Sequence, residues 1–141
     1  MKVLYTAVAT ATGDGRNGHV ETSDGLLVAD VRHPVELGGE GGATNPEQLF
    51  AAGYAVCFHS AIHTVARRLK IETRDSSVTA RVGFGTIGGG AFGLTVTLDI
   101  ALPSLPKDQA EQLIAKAHER CPYSNATRGN IDVELNLVES S

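Results

Sequence analysis

One helix start is written plainly into the middle of this chain, and it limits what the segments around it can do. Asn45 suits an N-cap, Pro46 the first turn behind it, and Gln48, three residues on from Asn45, the capping-box partner. From there the spacing predicts a helix to about Lys70, with Leu49, Gly53, Val56, Cys57, Ser60, Ala61 and Thr64 recurring on one small, apolar side. The segments on either side of such a helix are then expected to cover it.

The flanks carry a different period. Met1 to Ala11 and Gly18 to Pro34 read as strands joined by a Gly-rich turn, Thr12 to Gly18, and a second glycine cluster, Gly38 to Gly42, leads into the helix. Ser77 to Phe84 and Leu94 to Leu102 alternate like a hairpin around the loop Gly85 to Gly93. That loop leads into a strand and has no Lys-Ser or Lys-Thr pair, so it reads as a flexible turn and not as a phosphate cradle. Pro106 opens a second helix with Ala110, Leu113, Ile114, Ala117 and Cys121 on one face, Pro122 ends it, and a last strand runs from Ile131 to Val138. With no repeat or linker, this order predicts an α+β fold with antiparallel sheet covering helices, as a single domain over residues 1–141.

Composition narrows the partners. A net charge of -4 gives no electrostatic reason to expect nucleic acid or an anionic membrane. The N-terminus lacks an apolar h-region and no apolar run is expected to span a membrane, so the expectation is a cytoplasmic protein. In that reducing compartment a permanent disulfide is disfavoured, and the two cysteines lean towards catalysis, redox sensing or core packing.

Cys57 and Cys121 both fall on helix faces expected to be buried, where inert cysteines are also found. Cys121, in the last turn of its helix, faces the negative end of the macrodipole and suits a neutral resolving thiol. Cys57, in mid-helix, gains nothing from a helix N-terminus, and a thiolate well below the free-cysteine value of roughly 8.5 needs a nearby cation. Arg67 and Arg68 lie too far along the axis to supply it. Metal binding is a weak rival: His59 and His63 are four apart, but Ser60 stands where the zincin motif has Glu, and neither shares a face with Cys57. These two are expected to be solvent-facing or packed helix residues, and His19, His33 and His118 have no informative partner. No Gly-x-Ser-x-Gly elbow is present. On the residues alone, Arg16 is a turn arginine and Glu47 a helix N-terminal acid favoured by the dipole.

Four stretches together resemble a known family. Gly13 to Val20, Glu36-Leu37-Gly38-Gly39, Thr44 to Phe58 and Cys121 to Asn130 are similar, in order and over nearly the whole chain, to the organic hydroperoxide resistance proteins of the OsmC-like superfamily. The loop Ile87 to Phe92 has no match. The resemblance implies an OsmC-like fold and a thiol-dependent peroxidase acting on alkyl and fatty-acid hydroperoxides. Cys57 would be the peroxidatic and Cys121 the resolving cysteine, joined in a disulfide that dihydrolipoamide or a lipoylated protein reduces, with no cofactor or metal bound. Arg16 would stabilise the thiolate and the transition state, and Glu47 would orient Arg16. A sister OsmC-type peroxidase with another substrate preference, or a thiol redox sensor without turnover, are the alternatives. Phe50 and Leu49, with Val56 and Phe58, supply an apolar environment near Cys57 for an alkyl tail.

Distance along the helix adds one expectation. Ten residues separate Glu47 from Cys57, roughly 15 Å along a continuous helix. One helix does not bring both to one site, so an intertwined homodimer with shared sites is expected, Glu47 reaching the site from the partner subunit and Gly53 lying where the two long helices come closest.

Overall fold

The computed structural model describes residues 1–139; Ser140 and Ser141 lie outside the described residues. Its contacts divide into two compact units, residues 1–49 and residues 50 onward.

The first unit is a three-stranded antiparallel sheet in the order β1 (Ala9–Asp14), β2 (Asn17–Thr22), β3 (Val28–Asp30). Met1 to Val8 is not strand, and β1 instead runs on through most of the expected Gly-rich turn, pairing as far as Asp14 with Asn17. Only Gly15 and Arg16 remain in the loop. Gly15 at a φ of 62° supplies the positive dihedral that a two-residue hairpin loop needs at its first position. Gly18 is fixed by space, since a Cβ there would run into the Thr12 carbonyl across the ladder. A short 3-10 turn at Val35–Leu37 closes on Gly38, and Asn45 is buried as the cap of the long helix α1 (Pro46–Leu69).

Helix α1 begins as its sequence predicts. Asn45 Oδ1 accepts from the Gln48 N–H at 2.9 Å, but the Gln48 side chain takes the Thr44 hydroxyl at 2.9 Å, so the reciprocal half of the capping box goes to Thr44. The helix ends one residue early. Lys70 adopts a left-handed φ of 55°, its N–H bonds Arg67 O, and the Ile71 N–H reaches back to Ala66 O, a Schellman closure built without glycine.

The second unit holds the core. Strands β4 (Ser77–Gly88) and β5 (Ala91–Ala101) form a long antiparallel hairpin, and β6 (Val133–Val138) adds to β5 in parallel. The expected all-antiparallel sheet is therefore corrected. The chain between β5 and β6 carries α2 (Lys107–Arg120) and α3 (Pro122–Thr127), and such a crossover returns the next strand in the same direction. The expected flexible loop Gly85 to Gly93 is also mostly ladder: it pairs to Gly88 with Ala91, with a bulge near Thr86, leaving only Gly89 and Gly90 at φ 62° and 76° in the turn.

Val96, Leu98 and Ile100 alternate inward from β5 and join Phe58, Ile62, Val65, Leu113 and Ile114 in one cluster. Each such side chain contributes about 1.5–3 kcal/mol of burial. On α1 the buried residues are Tyr54, Phe58, Ala61, Ile62, Val65 and Ala66, so the core face is rotated from the one the spacing predicts. The two large aromatics take the interior, Cys57 sits at its margin, and Val56 and Ser60 are exposed. The face expected for α2, from Ala110 to Cys121, is the one that is buried. By length and composition α1 could also cross a membrane, at a mean hydropathy of 1.3, contrary to the expectation that no run would qualify. Six of its residues are buried, and a core helix passes the same test.

Candidate functional site

The two cysteines, 64 residues apart in sequence, meet in the second unit. Cys121 Sγ donates to Cys57 Sγ at 3.5 Å, and both are free thiols. Cys57 is half-buried, whereas Cys121 is wholly buried. The expected place of Cys121 in the last turn of α2 is corrected. It sits in extended conformation, φ -64° and ψ 124°, as C-cap of α2 and N-cap of α3 at once. Pro122 does not simply stop α2, because proline at the first helical position also starts α3. The negative end of one dipole and the positive end of another thus meet at this thiol, and the dipole argument for its neutrality loses its force.

A second feature was invisible in the sequence. The Tyr123 backbone N–H, in the first turn of α3, hydrogen-bonds the Cys57 sulfur and favours its thiolate. Burial outweighs this, and the neighbouring Cys121 adds to it, so within these surroundings the Cys57 thiol lies above its ordinary value of 9.0. Gly53 makes room for the same residue: a Cβ there would press on the Tyr123 hydroxyl. The glycine expected to let two long helices approach thus accommodates Tyr123 of its own chain.

Phe50 joins an aromatic cluster with Tyr54 and Tyr123, at centroid separations of 6.2 and 6.0 Å, beside the helical turn that bears Cys57. Leu49 is half-buried, Phe58 points fully into the core and Val56 is 71% exposed, so these residues do not form the single apolar surround that was expected.

In the first unit Arg16 and Glu47 form a two-pronged pair, Nη1 to Oε2 at 2.8 Å and Nη2 to Oε1 at 2.7 Å. The hairpin tip presents the arginine and the first turn of α1 presents the glutamate. Hydrogen bonding to Arg16 holds the Glu47 carboxyl below its ordinary value, and bonding to Glu47 raises the guanidinium further. Arg16 stays protonated throughout any accessible pH range.

Two expected bystanders have partners. His59 Nε2 lies 2.9 Å from Ser76 Oγ and 3.1 Å from His63 Nε2, while Thr73 Oγ1 lies 3.2 Å from His63 Nδ1. Burial, then the neighbouring His63, lowers the His59 value. His118 Nδ1 lies 2.8 Å from Ser124 Oγ. Among the described residues no group of three His, Cys, Asp or Glu could hold a metal ion.

Residues 39–136 match the family described as OsmC-like protein. The organic hydroperoxide resistance protein of Xanthomonas axonopodis pv. citri is 56% identical over 139 residues, 97% of this chain and 96% of that one. The chain belongs to the organic hydroperoxide resistance proteins of the OsmC-like family. Within that family the OhrB protein of Bacillus subtilis is 46% identical over 136 residues, covering 95% of this chain and 98% of its own. The crystal structure of an organic hydroperoxide resistance protein from Legionella pneumophila superposes with a TM-score of 0.93 at 58% identity, covering 96% and 98% of the two chains. The long central helix and two small sheets are therefore the OsmC-like fold.

Proposed function

We propose that the protein is a thiol peroxidase that reduces alkyl and fatty-acid hydroperoxides to alcohols. The observation that carries this reading is the pair of free thiols 3.5 Å apart in a member of this family. The Cys57 thiolate attacks the distal peroxide oxygen, the O–O bond breaks, and the alkoxide leaves with a proton as the alcohol. Cys57 becomes a sulfenic acid. The Cys121 thiol then displaces its hydroxyl, giving the Cys57–Cys121 disulfide and water. An S–S bond of 2.03–2.05 Å requires the sulfurs to close by about 1.5 Å, a small movement for a thiol at a helix junction.

Arg16 serves as the missing cation, stabilising the thiolate and the charge that develops on the peroxide oxygens, while Glu47 holds its planar fork in register. The two-pronged pairing supports these roles. Phe50 and Leu49 accept the apolar tail of the substrate, and the Tyr123 ring, packed on Phe50, joins them. A dihydrolipoyl dithiol, free or carried on a protein, reduces the disulfide, and no bound cofactor is needed. The protein works in the cytoplasm.

The working form in this proposal is a homodimer. Leu4, Tyr5, Leu26, Val28 and Val35 of the first unit are between 55% and 88% exposed, large apolar side chains that a second copy would cover. Arg16 and Glu47 pair within one chain, so in a shared site they serve the partner's Cys57 together. Mixed dimers of a Cys57→Ser chain with a Glu47→Ala chain then contain one intact site and regain activity, whereas sites built within one chain stay defective.

The testing experiment is a steady-state assay with dihydrolipoamide, comparing cumene hydroperoxide with hydrogen peroxide. Catalytic efficiency is expected to rise with the size of the organic tail. Equal efficiency on the two substrates would remove the apolar-site part of the proposal, and no turnover on either would remove the whole.

A further inference from the structure

One polar chain, buried at Tyr54 and Ser124 and half-buried at His118, lies next to the thiols and has no part in the scheme above. The Tyr54 hydroxyl is 2.8 Å from Ser124 Oγ and 3.2 Å from Thr127 Oγ1, and Ser124 Oγ is 2.8 Å from His118 Nδ1. Tyr54 and Ser124 are wholly inaccessible and Thr127 is 3% exposed. The chain ties three helices together, since Tyr54 is on α1, His118 in the last turn of α2, and Ser124 and Thr127 on α3.

Apolar side chains would fill this space equally well. Hydrogen bonds contribute little net stability over burial, and what they add in an interior is direction. The direction here is specific. α3 carries Cys121 as its N-cap and offers the Tyr123 N–H to the Cys57 sulfur, so one turn of helix sets both contacts of the reactive thiol. Ser124 is the next residue after Tyr123, and its single oxygen serves both tethers. Burial, then Arg128, lowers the His118 value, which favours the neutral ring with one donor and one acceptor nitrogen.

We propose that Tyr54, Ser124 and His118 are positioning residues for the thiol pair: their hydrogen-bond chain holds the start of α3 on α1 and so sets how readily Cys57 and Cys121 join. This rests on the peroxidase reading only for its biological use. The thiols and the tether are tested without peroxide.

The test equilibrates the protein with mixtures of oxidised and reduced dithiothreitol, followed by acid quench, alkylation and intact mass. Cys57 and Cys121 each give up a proton and an electron as the S–S bond forms, and the probe's disulfide takes them up to become the dithiol. Tyr54→Phe and Ser124→Ala are each expected to lower the equilibrium constant for the Cys57–Cys121 disulfide about three- to tenfold. Tyr54→Phe removes one oxygen atom and keeps the ring, so it reports even if Ser124→Ala does not fold. Leu98→Ala, a core change on β5 outside the chain of hydroxyls, lowers the melting temperature and is expected to leave this constant within twofold. An unchanged constant in folded Tyr54→Phe, or a fall of equal size in Leu98→Ala, would overturn the proposal. Wild-type protein that forms the disulfide in this buffer yet does not react with cumene hydroperoxide would sink the peroxidase reading, and the tether would be decided by the variants as before.

Discussion

The two units of this molecule divide its chemistry unevenly. The second holds both thiols, all three α-helical elements beyond the first turn of α1 and the apolar cluster, while the first holds a two-pronged ion pair and a sheet whose leading strand is exposed throughout. Val31 is the one apolar residue buried among the described residues of the first unit. The difference follows from what each group needs. Thiols that must meet at bonding distance need stiff, buried supports, whereas an ion pair loses strength to no packing defect and suffers more from desolvation than from exposure. Within its own surroundings the Cys57 thiol is pushed up, not down, because burial outweighs the Tyr123 N–H.

The largest effect expected from breaking this division is at the sulfur. Cys57→Ser should abolish peroxide reduction, while Cys121→Ser should consume one equivalent, stop as a trappable sulfenic acid and overoxidise readily. Intact-mass mapping that finds the sulfenate on Cys121 would reverse the roles.

Next comes the charge in the first unit. Arg16→Ala should lower catalytic efficiency by about 10²–10³, the usual scale for a lost donor at developing charge. It should also move the pH midpoint for alkylation of Cys57 upward relative to the parent protein. An unmoved midpoint would confine Arg16 to pairing with Glu47.

Packing should separate the units by several kcal/mol. Phe58→Ala, in the core, should cost about 3–5 kcal/mol of unfolding free energy. Val28→Ala, on a strand that is 55% exposed at that residue, should cost less than about 0.5 kcal/mol unless a second chain covers it. Denaturant titrations at two protein concentrations separate these cases, because a dimer contact makes the Val28 effect grow with concentration.

The smallest effect is the pH dependence of the ion pair. Glu47 titrates lower in the folded protein than its ordinary 4.5, so its contribution is complete above that value and fades as the pH falls through the folded one. Glu47→Gln should therefore lower stability at pH 7, where the contribution is complete, and flatten the loss of stability below about pH 4.5, its own effect shrinking towards acid. An effect that grows as the pH falls from 7 to 4 would show that the pair is not the source.

By itself the sequence determined whatever depends on neighbours a few residues away. Asn45 caps α1 because its side chain reaches a backbone N–H three positions on, and the α2 face from Ala110 to Cys121 is buried because its period leaves no other apolar side. The resemblance, and no local spacing, singled out Cys57 with Cys121 and Arg16 with Glu47, and in the structure each of these two pairs is in contact. Other features waited for the tertiary structure. α1 is apolar on more than one side, so only the fit of Tyr54 and Phe58 among β5 and α2 selected its core face. Its left-handed end at Lys70 carries no glycine to announce it. β6 runs parallel to β5 because a crossover precedes it, and Cys121 is an N-cap because α3 begins where α2 ends. The Tyr123 N–H on Cys57 and the hydroxyl chain from Tyr54 through Ser124 to His118 join groups as much as 70 residues apart, and no local pattern encodes a partner at that separation.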